Sequence, residues 1–321
     1  MLPRAASDPD CVTSSSAGTG AAPGPAPARR GATGAAARVP PHAYFVVSAV
    51  FHYLGPAFAV LLFARVDVLG VAWLRIASAA LVFALWRRPW RTWRRLDGRT
   101  RRLLVAWGAV LAVMNSCFYL AVDRLPLGTV AAVEFLPVVA LAALAARTRR
   151  NLAALVLAVG GVYLLTDVQL VAEPAGLAFA AANAVLFAAY VVLGHRVARD
   201  DRLPGVDGLA LSMLVAAAVA LPVGITGAVP ALTDPVALAA GIGVGVSSSV
   251  VPYVCDQLAM RRLPRATYAL MVSLLPATAT VIGIVVLAQV PTARETAGVA
   301  LVVAGVALHR ERAERGHGKG R

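Results

Sequence analysis

Residues 119–126 read YLAVDRLP and residues 257–264 read QLAMRRLP, with five of eight positions identical at an offset of 138. The match continues through Thr129 and Thr267, then Ala131 and Ala269, and after a one-residue gap Pro137 falls opposite Pro276. Leu and Ala are abundant here, so the identities alone are a modest signal. The spacing carries more weight. A membrane span takes about 20 apolar residues, so this offset holds five spans with their loops. An odd number means that the second copy enters the bilayer from the opposite side. Inverted repeats of this kind recur in secondary transporters, with the substrate site between the halves.

Composition supports the membrane setting. Of 321 residues, 59% are hydrophobic and 14% charged, against roughly 45–50% and about 25% in ordinary globular proteins. Mean hydropathy is +0.74. The expected fold class is an all-α integral membrane protein with ten transmembrane helices in two five-helix inverted repeats. The expected spans are 43–63, 68–86, 103–122, 128–146, 152–166, 176–194, 208–226, 236–259, 266–289 and 295–308, the fifth and tenth being short and able to extend into their flanks. Helices are the expected spanning element because lipid leaves no partner for an open backbone group. Residues 1–40 are rich in Ala, Gly, Pro, Ser and Thr and read as a disordered cytoplasmic tail. They lack the apolar core of a cleaved signal peptide. The two repeats are expected at 41–166 and 167–308, followed by a basic cytoplasmic tail at 309–321.

The net charge is +14, but the basic residues lie in short bursts between apolar runs rather than on one solvated face. That excludes a nucleic-acid binder and a soluble enzyme alike. Twenty-two of the 30 basic residues fall in 87–102, 147–150, 196–202, 261–265 and the tail from 310, whereas the alternate loops hold Arg65, Arg124 and Arg294. By the positive-inside rule, both termini face the cytoplasm, and the bursts contact phospholipid. The three cysteines form no disulfide framework, and the five histidines show no metal-ligand spacing. Neither a cofactor nor a metal is expected. No phosphate loop or nucleophile elbow is present, so energy must come from an ion or substrate gradient.

Ionisable residues inside a span are functional candidates by default. Glu134 lies about six residues into a helix that starts outside, roughly 9 Å deep at 1.5 Å per residue. It reads either as a proton carrier or as a permanently paired structural carboxylate. Arg75 sits at nearly the same depth and can pair with Glu134 or clamp a substrate carboxylate through parallel hydrogen bonds. Asn115 and Asn183 fall near the same level, which suggests a common cavity, though each asparagine alone reads as interhelical glue. His52 is a second candidate for the proton, and Tyr53 lies beside it. Tyr119, Tyr190, Tyr253 and Tyr268 are candidate gates or stacking faces, with core packing the competing reading for at least half of them, and Ser273 completes the expected pathway. Pro137 and Pro276 deprive the carbonyls of Val133 and Val272 of their donors, so kinks are expected at matching places in the two halves. Asp256 reads as a surface-paired residue. Ser247, Ser248 and Ser249 read as pathway or close-packing residues, and Gly160, Gly161, Gly241, Gly243 and Gly245 as packing.

The stretch MNSCFYLAVDRLPLGTVAAVEFLP (114–137) resembles the third and fourth helices of the drug/metabolite transporter superfamily, EamA type. Its Met-Asn, Phe-Tyr-Leu, Pro-Leu-Gly and Glu-Phe pieces are similar to the threonine/homoserine exporter branch. VPYVCDQLAMRRLPRATYALMVSLLP (251–276) resembles the matching part of the second half, and LRIASAALVF (74–83) the second helix. The resemblance covers 43–308. It implies a ten-helix, proton-coupled exporter of small amino acids or related metabolites in the bacterial cytoplasmic membrane, working by alternating access. Two positions depart from the branch pattern: Leu136 replaces a glycine, and Leu275 an acidic residue. Export of an aromatic or drug-like compound, or a non-transporting receptor, are the competing readings. Expected partners are a small-molecule substrate, protons and the phospholipid bilayer, but no nucleic acid, with the protein a monomer or homodimer.

Overall fold

The computed structural model describes residues 40–145, 148–198, 205–252, 255 and 274–308. Both expected tails, Tyr253, Asp256, the QLAMRRLP copy, Tyr268 and Ser273 lie outside them. The elements are α1 (Pro41–Leu62), α2 (Val68–Arg87), the single turn α3 (Trp90–Trp93), α4 (Gly98–Val122), α5 (Leu127–Ala145) and α6 (Arg149–Ala172). There follow α7 (Pro174–Ala198), α8 (Gly205–Thr233), α9 (Pro235–Gly245), α10 (Leu275–Leu287) and α11 (Ala293–Leu308). No strand occurs among the described residues. Among the described residues, five helices are long and apolar enough to cross a membrane, namely those covering Ala43–Leu62, Val68–Arg87, Gly98–Val122, Pro174–Gly194 and Asp207–Thr233. Shorter apolar helices cover Leu127–Pro137, Pro235–Val250 and Leu275–Leu287.

Several helix ends differ from the sequence expectation, for local reasons. α4 begins at Gly98 instead of 103, because the Asp97 carboxylate accepts from the Thr100 N–H at 3.0 Å and caps an arginine-rich first turn. Asp67 and Asp234 cap α2 and α9 in the same way. Thr292 and Glu295 form a reciprocal capping box, with Thr292 N–H donating to Glu295 Oε2 at 2.8 Å and Glu295 N–H to Thr292 Oγ1 at 3.2 Å. α8 continues past 226 to Thr233 with Pro222 and Pro230 inside it, and α6 extends beyond both expected ends. Pro137 lies inside α5 as expected. Pro276 instead occupies the first turn of α10, after a turn residue at Leu274. Its missing N–H falls where a helix has no internal acceptor; Val272 lies outside the described residues.

Glycines set the helix crossings. α2 packs along α8, and α6 along α11; α4 packs on α7 and α8, while α9 packs on α1 and α2. α5 packs on α6, α7 and α10, and α1 on α10. Where α2 crosses α8, a Cβ at Gly70 would stand 2.3 Å from the Gly227 carbonyl carbon. Gly161 meets the Gly298 carbonyl at 2.6 Å by the same measure, and Gly245 meets the Arg75 carbonyl at 2.6 Å. Gly241 meets Leu74, but Gly160 and Gly243 meet nothing within 4 Å. The packing reading thus describes three of the five expected positions. The α2–α8 contact is further tied by Trp73 Nε1 donating to the Ala217 carbonyl at 3.1 Å and by the Arg87–Asp207 ion pair at 2.7 Å. Because the obstacle at Gly70 is backbone, Gly70→Val must push two helices apart. The expected cost is about 1–3 kcal/mol or more, read as a lowered thermal midpoint in detergent. An unchanged midpoint would show that the crossing is looser than its geometry.

Candidate functional site

α2 and α5 each bring their eighth residue, Arg75 and Glu134, to a cavity of about 320 Å³ inside the bundle. His52 from α1, Asn115 from α4, and Asn183 and Tyr190 from α7 line the same space. Glu134, Asn115 and Asn183 are 7%, 6% and 0% exposed, so these polar groups are held inside the bundle rather than on its lipid face. Tyr53 and Tyr119 are fully buried beside the cavity but do not line it. Pro137 and Pro276 do not line it either, and Tyr253 and Ser273 lie outside the described residues.

Arg75 and Glu134 do not form an ion pair. The guanidinium is held instead by neighbours on three sides. Nη1 donates to Asn115 Oδ1, Nε to Ser249 Oγ at 3.3 Å, and Nη2 points to the Ser248 carbonyl at 3.5 Å. Its carbon stands 5.5 Å from the centroid of the Tyr119 ring, a cation–π position. Asn115 is fixed in turn, its Nδ2 donating to the Leu111 carbonyl at 2.8 Å. That leaves Glu134 without an ion-pair partner among the described residues. Asn183 interacts with Glu134, yet neither of its amide atoms closes a well-formed hydrogen bond. The Tyr53 hydroxyl is buried with no hydrogen-bond partner among the described residues, whereas that of Tyr119 lies beside Arg75 and Ser248.

Two features of the site have no hydropathy signature. Pro56 lies inside α1 and lines the cavity, where it cannot donate to the carbonyl of His52. α9 continues into a π-helical turn, Val246–Val250, a rare form that recurs at functional sites. This wider turn carries Ser248 and Ser249 to Arg75, and Ser248 Oγ donates back to the Val244 carbonyl at 2.6 Å. Ser48 Oγ donates to the Pro252 carbonyl at 3.3 Å and ties α1 to the same stretch. A proline in α1 and the serine run 247–249 were the available signals.

The cavity is one-sided. Phe45, Leu209, Met213 and Pro252 extend it from the polar level toward the end of the bundle where α1 and α8 begin. At the opposite end, Val66, Val71, Tyr119, Leu125, Leu127 and Val130 are no more than 2% exposed and close the bundle.

An apolar helical bundle with opposite charges kept apart around an internal cavity is the architecture of a membrane transporter. Sequence comparison gives the family. The EamA-like transporter family matches residues 174–310. The threonine/homoserine exporters RhtA of Escherichia coli (strain K12) and Salmonella typhimurium (strain LT2) are each 31% identical over 254 residues. Those alignments cover 78% of this chain and 84% of each relative. The chain belongs to the EamA-like transporter family.

Proposed function

We propose that the protein is a proton-coupled exporter of α-amino acids or closely related metabolites in the bacterial cytoplasmic membrane, working by alternating access. Threonine and homoserine, named for the relatives, are the first substrates to try. The observation that carries this reading is the separation of Arg75 from Glu134 across one cavity. A zwitterion offers a carboxylate for the arginine fork and an ammonium for the glutamate. A proton and the ammonium then compete for the same carboxylate. Loading from the cytoplasm displaces the proton, and a proton entering from outside displaces the substrate, which couples export to the proton gradient.

Helix packing supports two inverted repeats, with the break at Glu173 between α6 and α7, since the expected 166/167 boundary falls inside α6. Let α1, α2, α4, α5 and α6 be exchanged with α7, α8, α9, α10 and α11 in order. The contacts α2–α8, α6–α11 and α5–α10 then map onto themselves, while α4–α7 maps onto α9–α1 and α4–α8 onto α9–α2. Gly108 packs against α8 and Gly245 against α2, at an offset of 137, and the facing pair Gly161 and Gly298 has the same offset. With the basic loops inside, the cavity extends to the cytoplasmic end, the side from which an exporter loads.

Proteoliposomes loaded with labelled threonine, homoserine and a wider amino-acid panel test the function. Efflux of an amino acid that accelerates under an inward proton gradient is the expected result. Silence across the panel from demonstrably folded protein would overturn the reading.

A further inference from the structure

Polar and apolar groups line different sides of the cavity. On α7 the face toward it reads Asn183, Phe187, Tyr190, at helical spacings of four and three residues. The polar head level therefore gives way within one turn, about 6 Å along the axis, to aromatic rings. These belong to a continuous rank. Phe135 meets Phe187 edge to face at 5.9 Å, Phe187 stacks on Tyr190 at 6.4 Å, and Tyr190 stacks on Trp107 at 5.4 Å. Met114, Leu209 and Met213 complete this wall from α4 and α8. The polar lining lies apart from it, on α1, α2 and the π-helical turn, and at the level of Asn115, Glu134 and Asn183.

From this arrangement we infer that the preferred substrates are α-amino acids with long apolar or aromatic side chains, such as methionine, leucine and phenylalanine, rather than short hydroxylated ones. The inference rests on the amino-acid reading of the cavity and deepens it. With its ammonium near Glu134 and its carboxylate at Arg75, the substrate directs its side chain into the Phe135–Phe187 level. A methionine or phenylalanine side chain spans that gap and displaces water from the rings. Threonine falls short of it and leaves the rings in contact with water. A well-matched apolar wall discriminates by about tenfold or more per methylene.

The test is competition in the full-length protein, with one labelled amino acid as reporter in proteoliposomes and thermal stabilisation in detergent as the binding measure. Methionine, leucine and phenylalanine are expected to act at concentrations about tenfold or more below those of threonine and homoserine. Phe187→Ala is expected to erase most of the advantage of phenylalanine over threonine, read as the ratio of the two competing concentrations within the same variant. Met114→Ala serves the same purpose if the first variant does not fold. Threonine or homoserine acting at equal or lower concentration would overturn the inference and leave the exporter reading standing. So would an equal loss for every amino acid in a folded variant. Failure of all amino acids to bind or move would overturn the exporter reading itself, and this inference with it.

Discussion

Glu134→Gln is expected to remove the dependence of efflux on the proton gradient and to weaken amino-acid binding by about a hundredfold, while the protein remains folded. The affinity loss follows from truncating one partner of a desolvated charge contact, worth about 2–5 kcal/mol, at about 1.4 kcal/mol per factor of ten. Stability is the discriminating readout. A carboxylate permanently paired in the bundle would leave its partner stranded when neutralised, a loss of about 3–5 kcal/mol. Glu134 has no ion pair to Arg75, whose own donors are directed at Asn115, Ser248 and Ser249. Gln should therefore leave the melting temperature unchanged or raise it. His52 lines the same cavity and provides the control. His52→Gln should keep gradient-dependent efflux, and loss of coupling in that variant alone would move the proton to the imidazole.

The helices and the level of the site were largely legible in the sequence, because both depend on patterns that lipid imposes. Long apolar runs marked α1, α2, α4, α7 and α8. An ionisable residue in such a run has few places to go, so Arg75 and Glu134 stood out at once, with the two asparagines at the same count from the helix starts. Connections within the site were less legible. Arg75 had Glu134 as its obvious partner, yet it is bound by Asn115 and the π-helical turn, since hydropathy has no term for a change of helical pitch. The start of α4 and the end of α8 differ from the expected bounds for a related reason. Capped or proline-containing turns continue a helix past the point where the apolar signal stops. Pro276 shows the limit of arguing from symmetry, because its partner Pro137 lies inside a helix whereas Pro276 lies in a first turn.

Arg75→Lys should weaken amino-acid binding by about a hundredfold while sparing the corresponding amino-acid amides, which lack the carboxylate. The guanidinium is planar and its fork is aimed by three elements at once: Asn115 on α4, Ser248 and Ser249 on the π-helical turn, and the Tyr119 ring. Lysine retains the charge but presents a point donor on a flexible stem, so a two-oxygen contact becomes one. If Arg75 served only to join α2 to its neighbours, the amide and the parent acid would lose affinity equally. If it clamps the carboxylate, only the acid loses. Asn115→Ala sharpens the distinction, because Asn115 touches the substrate only through the arginine it aims. Its effect should be smaller than that of Arg75→Lys and should largely vanish when Arg75 is already Lys, the non-additivity expected of two residues in one network. Full additivity in that cycle would mean that Asn115 binds substrate on its own account and that the arginine needs no aiming.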